Sequence, residues 1–559
     1  MNKISSEGSG NHQSRRYQFF SYRSVNIASM LFMAVCAVLG IRYYCIPCRD
    51  VANRYAPMVE ALLEKDWAFA FHLRLPPLQV LCGGAVALVT GCNAFNSLQI
   101  ASNLWSFAGA AVLYLLMREL YPVKKYIAAC SVALYAVFPY TFHMAYSGLR
   151  DSAKTTLLLL IAYALAKICH NSLRLKPFFI LGIACGLGMI ARAEMVVICS
   201  FCLFVAAEIE SKASCFPWRA LIAALIAGAV NFGNVLINYH LFDCAMPDYR
   251  FSDIFTACTG QTATLFDGIA VSLLLVVLIV FAGFLAEKVF RYFAWQDALL
   301  TAAGAVTMAC IGAAGTAPDK AVSEFCWSLV KGCYHAVGIF ILLSVIFLSY
   351  YRKLRMAEKV ILLLAAANIL LCVASITFFH DTLYLSSRYI YATIPLCTGF
   401  FVLGIKVIYD FLRHWFKALY VNILLAICCL AMAGGFIFHM FQPILRSYEL
   451  KRGTTNNAEV LDLTEVIAND YRGEATYQPK FIPHRYVSKK RPVVTFYTED
   501  KFSVSAYLAG GSAEVRRTAN ADYYVGVELP RHLRRRATLI VEVKTTGRQP
   551  VKVWRLKRK

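Results

Sequence analysis

The chain has little charge for its length. Asp, Glu, Lys and Arg make up 16% of its 559 residues, whereas soluble proteins carry about 25%, and apolar residues make up 59%. The mean hydropathy is accordingly high, at +0.56. A water-soluble fold cannot hide so much apolar surface, and disordered chains contain far less of it, so both classes are excluded. An integral membrane protein fits the composition.

Acidic residues are scarcer than basic ones. The chain has 33 Asp and Glu and 56 Lys and Arg, which gives a net charge of +23. Basic loops and flanks between membrane helices explain this excess, and no nucleic-acid partner is expected. The 20 cysteines are scattered through apolar runs, as at Cys428 and Cys429, which is typical of small apolar side chains rather than of ligands or disulfides. The chain also lacks the internal repeat that many transporters show.

Apolar runs long enough to cross about 30 Å of hydrocarbon predict roughly thirteen membrane spans. The runs lie at 24–44, 98–117, 126–143, 153–169, 177–191, 195–209, 219–238, 269–287, 298–316, 328–349, 358–378, 389–408 and 418–438. The first is too long and lacks the small-residue site of a cleaved signal peptide. We therefore predict an N-terminal cytoplasmic segment over 1–23 and a membrane module over 24–440.

One further apolar stretch, Pro77–Cys92, is short and begins with a proline pair. If it does not span, the basic clusters between the other spans fall on the cytoplasmic side, as the positive-inside rule requires. If this stretch crosses the membrane, every one of these basic clusters falls on the outer side instead. The stretch is therefore predicted to be a helix lying at the outer interface, within a first outer loop over 45–97.

This topology predicts a sparse set of charges at the outer membrane boundary, where ionisable groups are costly unless they are paired or functional. The set comprises Asp50, Arg54, Glu60, Arg74, Arg150, Asp151, Arg192, Glu194, Asp381 and Arg388. These positions are where we expect the chemistry to be.

The segment 441–559 differs in character from the membrane module. From Gln442 onward it carries 23 Lys or Arg against 12 Asp or Glu, and it has no cysteine. We predict a small basic α/β domain on the outer side, with a helix over 458–470 and β-prone runs at 492–497, 523–528, 538–544 and 551–554. Its charge suits either anionic head groups or a simply solvated surface.

Two aspartates head helices on different predicted outer loops. Asp50 follows the first span and precedes a helical stretch from Pro57 to Leu63, and Asp151 follows Arg150 at the start of a span. Two such acids suit an acid/base site or an oxygen-ligand divalent metal site. The plainer alternatives are an Asp50 that pairs with Arg54 or its neighbour Arg49, and an Asp151 that caps its helix.

Two outward arginines suit a phosphate at the lipid boundary, because a guanidinium can bind two oxygens at once. They are Arg192 and Arg388. Each also has an alternative partner nearby in sequence, which is Glu194 for Arg192 and Asp381 for Arg388.

In combination these features resemble the GT-C class of integral-membrane glycosyltransferases. Within the class, the chain is most similar to the lipid A aminoarabinose transferases and the group related to protein O-mannosyltransferases. The matching features are Asp50 with Tyr55, the stretch 60–67, the stretch from Pro76 to Gly91, Asp151, the glycine-rich segment Gly182–Arg192, and Arg388-Tyr389 with Pro395. The resemblance implies an all-α polytopic GT-C fold and covers about 26–440.

The resemblance also implies a reaction. Members of this class transfer a sugar, usually with inversion, from a polyprenyl-phosphate donor to an acceptor on the outer face. Asp50 would be the general base, Asp151 would position the acceptor or Asp50, and Arg192 and Arg388 would meet the leaving phosphate. Further contacts expected on this basis are Tyr389 to the donor phosphate and Tyr55, Arg54, Arg150, His72 and Arg74 to substrate.

The chain departs from the family at two points. Val51 follows Asp50 where Glu is common, and Leu75, Cys92 and Asn93 flank the interfacial helix where some members carry metal ligands. No metal ligands are therefore predicted and no cofactor is required, although a divalent ion remains possible.

Three alternatives stay open at this point. The first is a transporter or lipid flippase, the second is a polysaccharide ligase or polymerase, and the third is a non-enzymatic scaffold that presents the basic tail. A lipid, a surface glycan or a protein could be the acceptor, and a bacterial inner membrane is the expected location.

Overall fold

The structure of the protein, a computed structural model, describes most of the predicted membrane module and part of the C-terminal segment. The described residues are 22–44, 51–71, 75–192, 194–246, 354–379, 391–455, 523–526, 528–543 and 551–557, with short stretches at 256, 259–260, 264–268, 279–285, 287, 493–496 and 514–515. Within these ranges the chain is mainly helical, as predicted.

The described helices follow the apolar runs of the sequence. A five-residue π-helical turn, Val51–Tyr55, leads into the second helix. The helices are α1 (Tyr22–Tyr43), α2 (Ala56–Leu63), α3 (Trp67–Ala70), α4 (Leu78–Thr90), α5 (Ala94–Leu120), α6 (Lys125–Val137), α7 (Pro139–Tyr146), α8 (Asp151–His170), α9 (Leu175–Met189), α10 (Met195–Ser211), α11 (Trp218–Phe242), α12 (Met356–Phe379), α13 (Thr393–Trp415) and α14 (Ala418–Thr455).

Six of the described helices are long and apolar enough to cross a membrane, or seven if the pair α6 and α7 is one span with a 55° bend. The bend falls at Phe138-Pro139, where proline cannot continue the helix. The protein is thus an integral membrane protein. The predicted spans at 298–316 and 328–349 lie outside the described residues, and the one at 269–287 is described only in part.

Helix α9 is 15 residues long, which is about 22 Å and shorter than a typical span. It packs closely against α11 through Gly182 and Gly186, which are spaced as small residues often are at helix contacts in membranes. A Cβ atom on Gly182 would lie 2.7 Å from the carbonyl oxygen of Ala223, and one on Gly186 would lie 2.7 Å from Cβ of Val230. The two glycines therefore let α9 lie closer to α11 than any residue with a side chain at these positions would allow.

The stretch predicted as an interfacial helix is helix α4. It has 13 residues, too few to cross a bilayer, and ends at Gly91, whose φ of 69° favours glycine. One face of α4 packs on α2 and α5. The Leu98 side chain of α5 packs directly on Gly83, and the Leu62 side chain of α2 packs directly on Gly84. Its position relative to the membrane stays a prediction.

The strands of the C-terminal segment lie where the sequence predicts them. Strands β1 (Val493–Phe496), β2 (Glu514–Val515), β3 (Tyr523–Gly526), β4 (Ala537–Val543) and β5 (Val551–Leu556) form a mixed sheet in the order β2-β1-β3-β5-β4. Tyr524, Leu533, Trp554 and Leu556 form its small buried cluster. The predicted helix at 458–470 lies outside the described residues.

Helix α14 is longer than its apolar run. The run ends near 438, but the helix continues to Thr455. Hydropathy marks the apolar length of a helix, whereas polar residues such as Arg446, Glu449 and Lys451 are also good helix formers. The boundary at 440 between membrane module and tail therefore stays a prediction.

The described cysteines are all free thiols. Cys199 and Cys202 have the CxxC spacing, but they are buried on α10, and the Cys199 thiol donates to the carbonyl of Cys185 at 3.4 Å. Cys45 and Cys48 share this spacing and lie outside the described residues. Cys185, Cys199 and Cys202 lie among the apolar side chains of the main core.

Replacing Gly182 with leucine should lower stability, because the side chain would collide with backbone atoms of α11. Overpacking of this kind costs about 1–3 kcal/mol, so the thermal unfolding midpoint in detergent should fall by several degrees. Gly434 on α14 has nothing within 4 Å of its built Cβ, so Gly434→Leu is the matched control and should not lower the midpoint. Equal midpoints for the two variants would contradict the close contact of α9 with α11.

Candidate active site

The turn between α7 and α8 carries the predicted pair Arg150 and Asp151. The chain reverses at Gly148, whose φ is 74°, a value that residues with a side chain rarely adopt. A Cβ there would also lie 3.2 Å from Cβ of Leu98 on α5. The glycine thus lets the turn lie directly on α5, and α8 then begins at Asp151.

A polar stripe on α5 holds this turn. Gln99, Ser102, Asn103 and Ser106 are spaced along one helical face and are buried. Gln99 Nε2 donates to Tyr146 O at 2.7 Å. Ser102 Oγ donates to Leu149 O at 3.0 Å, and Asn103 Nδ2 donates to Ala145 O at 3.4 Å. The hydroxyl of Ser106 is hydrogen-bonded to that of Ser152 at 3.2 Å. The backbone carbonyls of the turn are thus satisfied by α5.

The start of helix α4 ties this turn to the loop between α9 and α10. Gln79 is fully buried, and its Nε2 donates to Gly148 O at 3.2 Å and to Ser102 Oγ at 2.8 Å. The preceding amide, Leu78 N, donates to Ile190 O at 3.1 Å. Two consecutive residues of α4 therefore bind both segments that carry predicted site residues.

Asp151 and Arg192 meet in a buried ion pair. Arg192 Nη1 donates to Asp151 Oδ1, and both side chains are about 4% exposed. Arg192 Nε also lies 2.5 Å from Glu194 Oε1. The sequence left open whether Arg192 would pair with Glu194 or serve the site, and the structure shows it bridging two carboxylates.

A fourth charge completes this cluster. Lys154, one turn after Asp151 on α8, is 1% exposed, and its Nζ lies 3.5 Å from Glu194 Oε1. Burial by itself raises the pKa of the Glu194 carboxyl, but the charges of Arg192, Lys154 and Arg150 outweigh it and hold that pKa well below its ordinary value. We call Asp151, Lys154, Arg192 and Glu194 the four-charge cluster.

Arg150 lies beside the four-charge cluster and against the first outer loop. Its guanidinium carbon is 5.8 Å from the ring centroid of Tyr55, which is 3% exposed. Tyr55 ends the π-helical turn that begins at Val51, directly after Asp50 in sequence. Arg54, next to Tyr55, is exposed. Two of the predicted substrate contacts, Tyr55 and Arg150, are thus brought together.

The remaining predicted site residues lie outside the described part of the chain. They are Asp50, His72, Arg74, Arg388 and Tyr389. Their roles stay predictions. Within the described ranges no group of three His, Cys, Asp or Glu side chains is arranged to hold a metal ion, and the dependence on a divalent ion also stays a prediction.

A family model supports the sequence resemblance. Residues 76–232 match the dolichyl-phosphate-mannose-protein mannosyltransferase family. The match covers less than half of the chain, and this region is similar to that family. The matched region runs from the start of α4 into α11 and contains the four-charge cluster. The match confirms the predicted resemblance to protein O-mannosyltransferases. The family is one of glycosyltransferases.

Two solved structures match this chain at low similarity. The apo oligosaccharyltransferase of Archaeoglobus fulgidus is 14% identical, with a TM-score of 0.49, over 89% of this chain and 69% of that chain. ArnT from Cupriavidus metallidurans, also solved bound to undecaprenyl phosphate, is 11% identical in its apo form, with a TM-score of 0.38, over 94% of this chain and 97% of that chain. Among curated proteins no relative matches.

Two polar residues of the site region, Lys154 and Gln79, were not identified from the sequence. Lys154 lies inside the apolar run predicted as a span over 153–169. A lysine inside such a span is itself an indication of a functional site. Gln79 stood inside an apolar stretch in the same way, and Gln99, Ser102, Asn103 and Ser106 share one face of a span. Buried polar residues at helical spacing could have indicated where a loop is held.

Replacing Glu194 with glutamine should destabilise the protein at neutral pH, because Arg192 and Lys154 lose a buried counter-charge. We expect a cost of up to about 3 kcal/mol, seen as a lower thermal unfolding midpoint. Since the pKa of folded Glu194 is depressed, its contribution is complete above the unfolded value of about 4.3 and is lost as the pH falls below it.

The difference between wild type and Glu194→Gln should therefore be constant from pH 7 to about pH 5 and shrink in more acidic buffer. Asp410→Asn, which breaks an exposed ion pair with Lys406, is the control and should change the midpoint little. A Glu194→Gln variant as stable as wild type at pH 7 would contradict the cluster.

Proposed function

We propose that the protein is a glycosyltransferase that moves a sugar from a polyprenyl-phosphate donor to an acceptor on the outer face of the membrane. The observation that carries the proposal is the four-charge cluster, which lies inside the region matched to a family named for a dolichyl-phosphate sugar donor. A buried, internally paired set of acids and cations is a costly arrangement that suits an active site better than a structural core.

In the proposed reaction an acceptor hydroxyl oxygen attacks the anomeric carbon of the donor sugar. The bond from that carbon to the phosphate oxygen breaks, its electron pair leaves with the lipid phosphate, and the hydroxyl proton passes to a carboxylate. Attack opposite the leaving group inverts the anomeric centre. Since a monophosphate leaves, cations alone can balance its charge, and a divalent ion is optional.

The roles of the two aspartates differ in this proposal. Asp151 is buried and pairs with Arg192, and in this proposal it positions the neighbouring groups. Asp50, directly before the turn that ends at Tyr55, is the proposed general base. Arg192, Arg388 and Tyr389 are proposed to meet the donor phosphate, and Tyr55, Arg54, Arg150, His72 and Arg74 to contact substrate.

The proposed location is a bacterial inner membrane, with the N-terminus in the cytoplasm and the C-terminal domain outside. The acceptor is a lipid, a surface glycan or a protein. A transporter is less well supported, because in the described region the paired charges lie at helix ends, where α8 and α10 begin, rather than at the middle of long helices.

Replacing Asp151 with asparagine should reduce transfer at least about 100-fold, because Arg192 loses one of its two carboxylate partners and the groups around it are no longer held in position. Asp50→Asn should reduce it at least as much, because the base is gone. The measurement is glycolipid and glycoprotein profiling by mass spectrometry of cells that lack the gene and carry each variant, normalised to membrane protein level.

Glu119→Gln is the matched control for these variants. Glu119 is also a carboxylate paired across α5 and α8, with Lys167 at 2.9 Å, but at the opposite ends of those helices. The Glu119→Gln variant should therefore retain near-normal sugar transfer. The proposal fails if the gene changes no sugar-containing product, or if both aspartate variants transfer sugar at the wild-type rate.

A further inference from the structure

The charges around Asp151 do not balance. Within the four-charge cluster, two carboxylates (Asp151 and Glu194) face two cations (Lys154 and Arg192), so their charges cancel. Arg150 is the fifth charge in this region, and it lowers the pKa of Glu194 through its positive charge. These five charges therefore sum to one surplus positive charge.

Arg150 also has a polar group without a partner. Its Nη1 is buried and makes no hydrogen bond with any described residue. A buried N–H group without an acceptor costs free energy, and in folded proteins such groups are few. An anionic acceptor at this position would both pair the N–H group and balance the surplus positive charge.

The two arginines of the site differ in how far they are engaged. Arg192 Nη1 donates to Asp151, and Nε lies 2.5 Å from Glu194 Oε1 in an ion pair without hydrogen-bond geometry, so both of its charged neighbours are carboxylates. Arg150 instead lies against the ring of Tyr55, which contacts the guanidinium at 5.8 Å without supplying an acceptor oxygen. Such a contact orients the guanidinium and leaves its charge available to a ligand.

We propose that Arg150 is a further residue that binds the phosphate of the lipid-linked donor, with Tyr55 orienting its guanidinium. A phosphate oxygen would accept the hydrogen bond of Nη1, and its negative charge would neutralise the surplus charge. This inference rests on the proposed function and deepens it by adding Arg150 to the residues that contact the phosphate of a polyprenyl phosphate.

The test is a binding titration of the purified full chain in detergent. Undecaprenyl phosphate is the ligand, and undecaprenol and inorganic phosphate at equal concentrations are the comparisons. Binding is read from the shift of the thermal unfolding midpoint. We expect undecaprenyl phosphate to stabilise the wild type, undecaprenol and inorganic phosphate to have little effect, Arg150→Met to weaken binding at least about tenfold, and Arg150→Lys to weaken it less.

The variant's own stability separates binding from a structural role. Without lipid, Arg150→Met should unfold at or above the wild-type temperature, because it removes an uncompensated charge. Arg118→Met is the matched control, since Arg118 likewise lies on a tyrosine, Tyr114, at 6.0 Å but at the other end of α5. It should bind undecaprenyl phosphate like wild type.

The possible failures are distinguishable. If wild type does not bind undecaprenyl phosphate, the donor class and hence the proposed function fail. If wild type binds it and Arg150→Met binds it equally, the proposed function stands and the assignment of Arg150 is wrong. The assignment is also wrong if inorganic phosphate stabilises as well as the lipid does, or if Arg150→Met unfolds at a clearly lower temperature than wild type without lipid.

Discussion

The site depends on one interaction, the bridge that Arg192 makes between Asp151 and Glu194. Removing two carboxylates and a guanidinium from water costs several kcal/mol per ion, and only close pairing offsets this. Lys154 adds the second cation that Glu194 needs. Because Asp151 begins α8 and Glu194 directly precedes α10, the bridge also fixes how those two helices start relative to each other.

The surrounding polar network makes this bridge possible. Asp151 can meet Arg192 only if the turn at Gly148 is held in place, and side chains of α5 hold it through the carbonyls of the turn. Helix α4 joins the turn to the Arg192 loop through Gln79 and Leu78. The short helix that precedes the long spans is therefore part of the site's support. The family match runs from the start of α4 into α11 and so includes these contacts.

Much of the fold could be predicted from the sequence, because apolar length and β-prone runs report local structure directly. The proximity of Asp151 to Arg192 followed from placing both on one side of the membrane. Lys154 and Gln79 could not be assigned, because an apolar window hides a single polar residue and only packing shows what it faces. The end of α14 was also missed, since hydropathy does not mark where a helix stops.

A double-mutant cycle on Asp151 and Arg192 tests the central claim most directly. The free energy of unfolding is measured by SDS titration for wild type, Asp151→Asn, Arg192→Met and the double variant. If the bridge organises the site, each single variant leaves a buried charge unpaired, and the double variant is less destabilised than their sum by about 1–3 kcal/mol. Effects that simply add, within about 0.5 kcal/mol, would contradict the account.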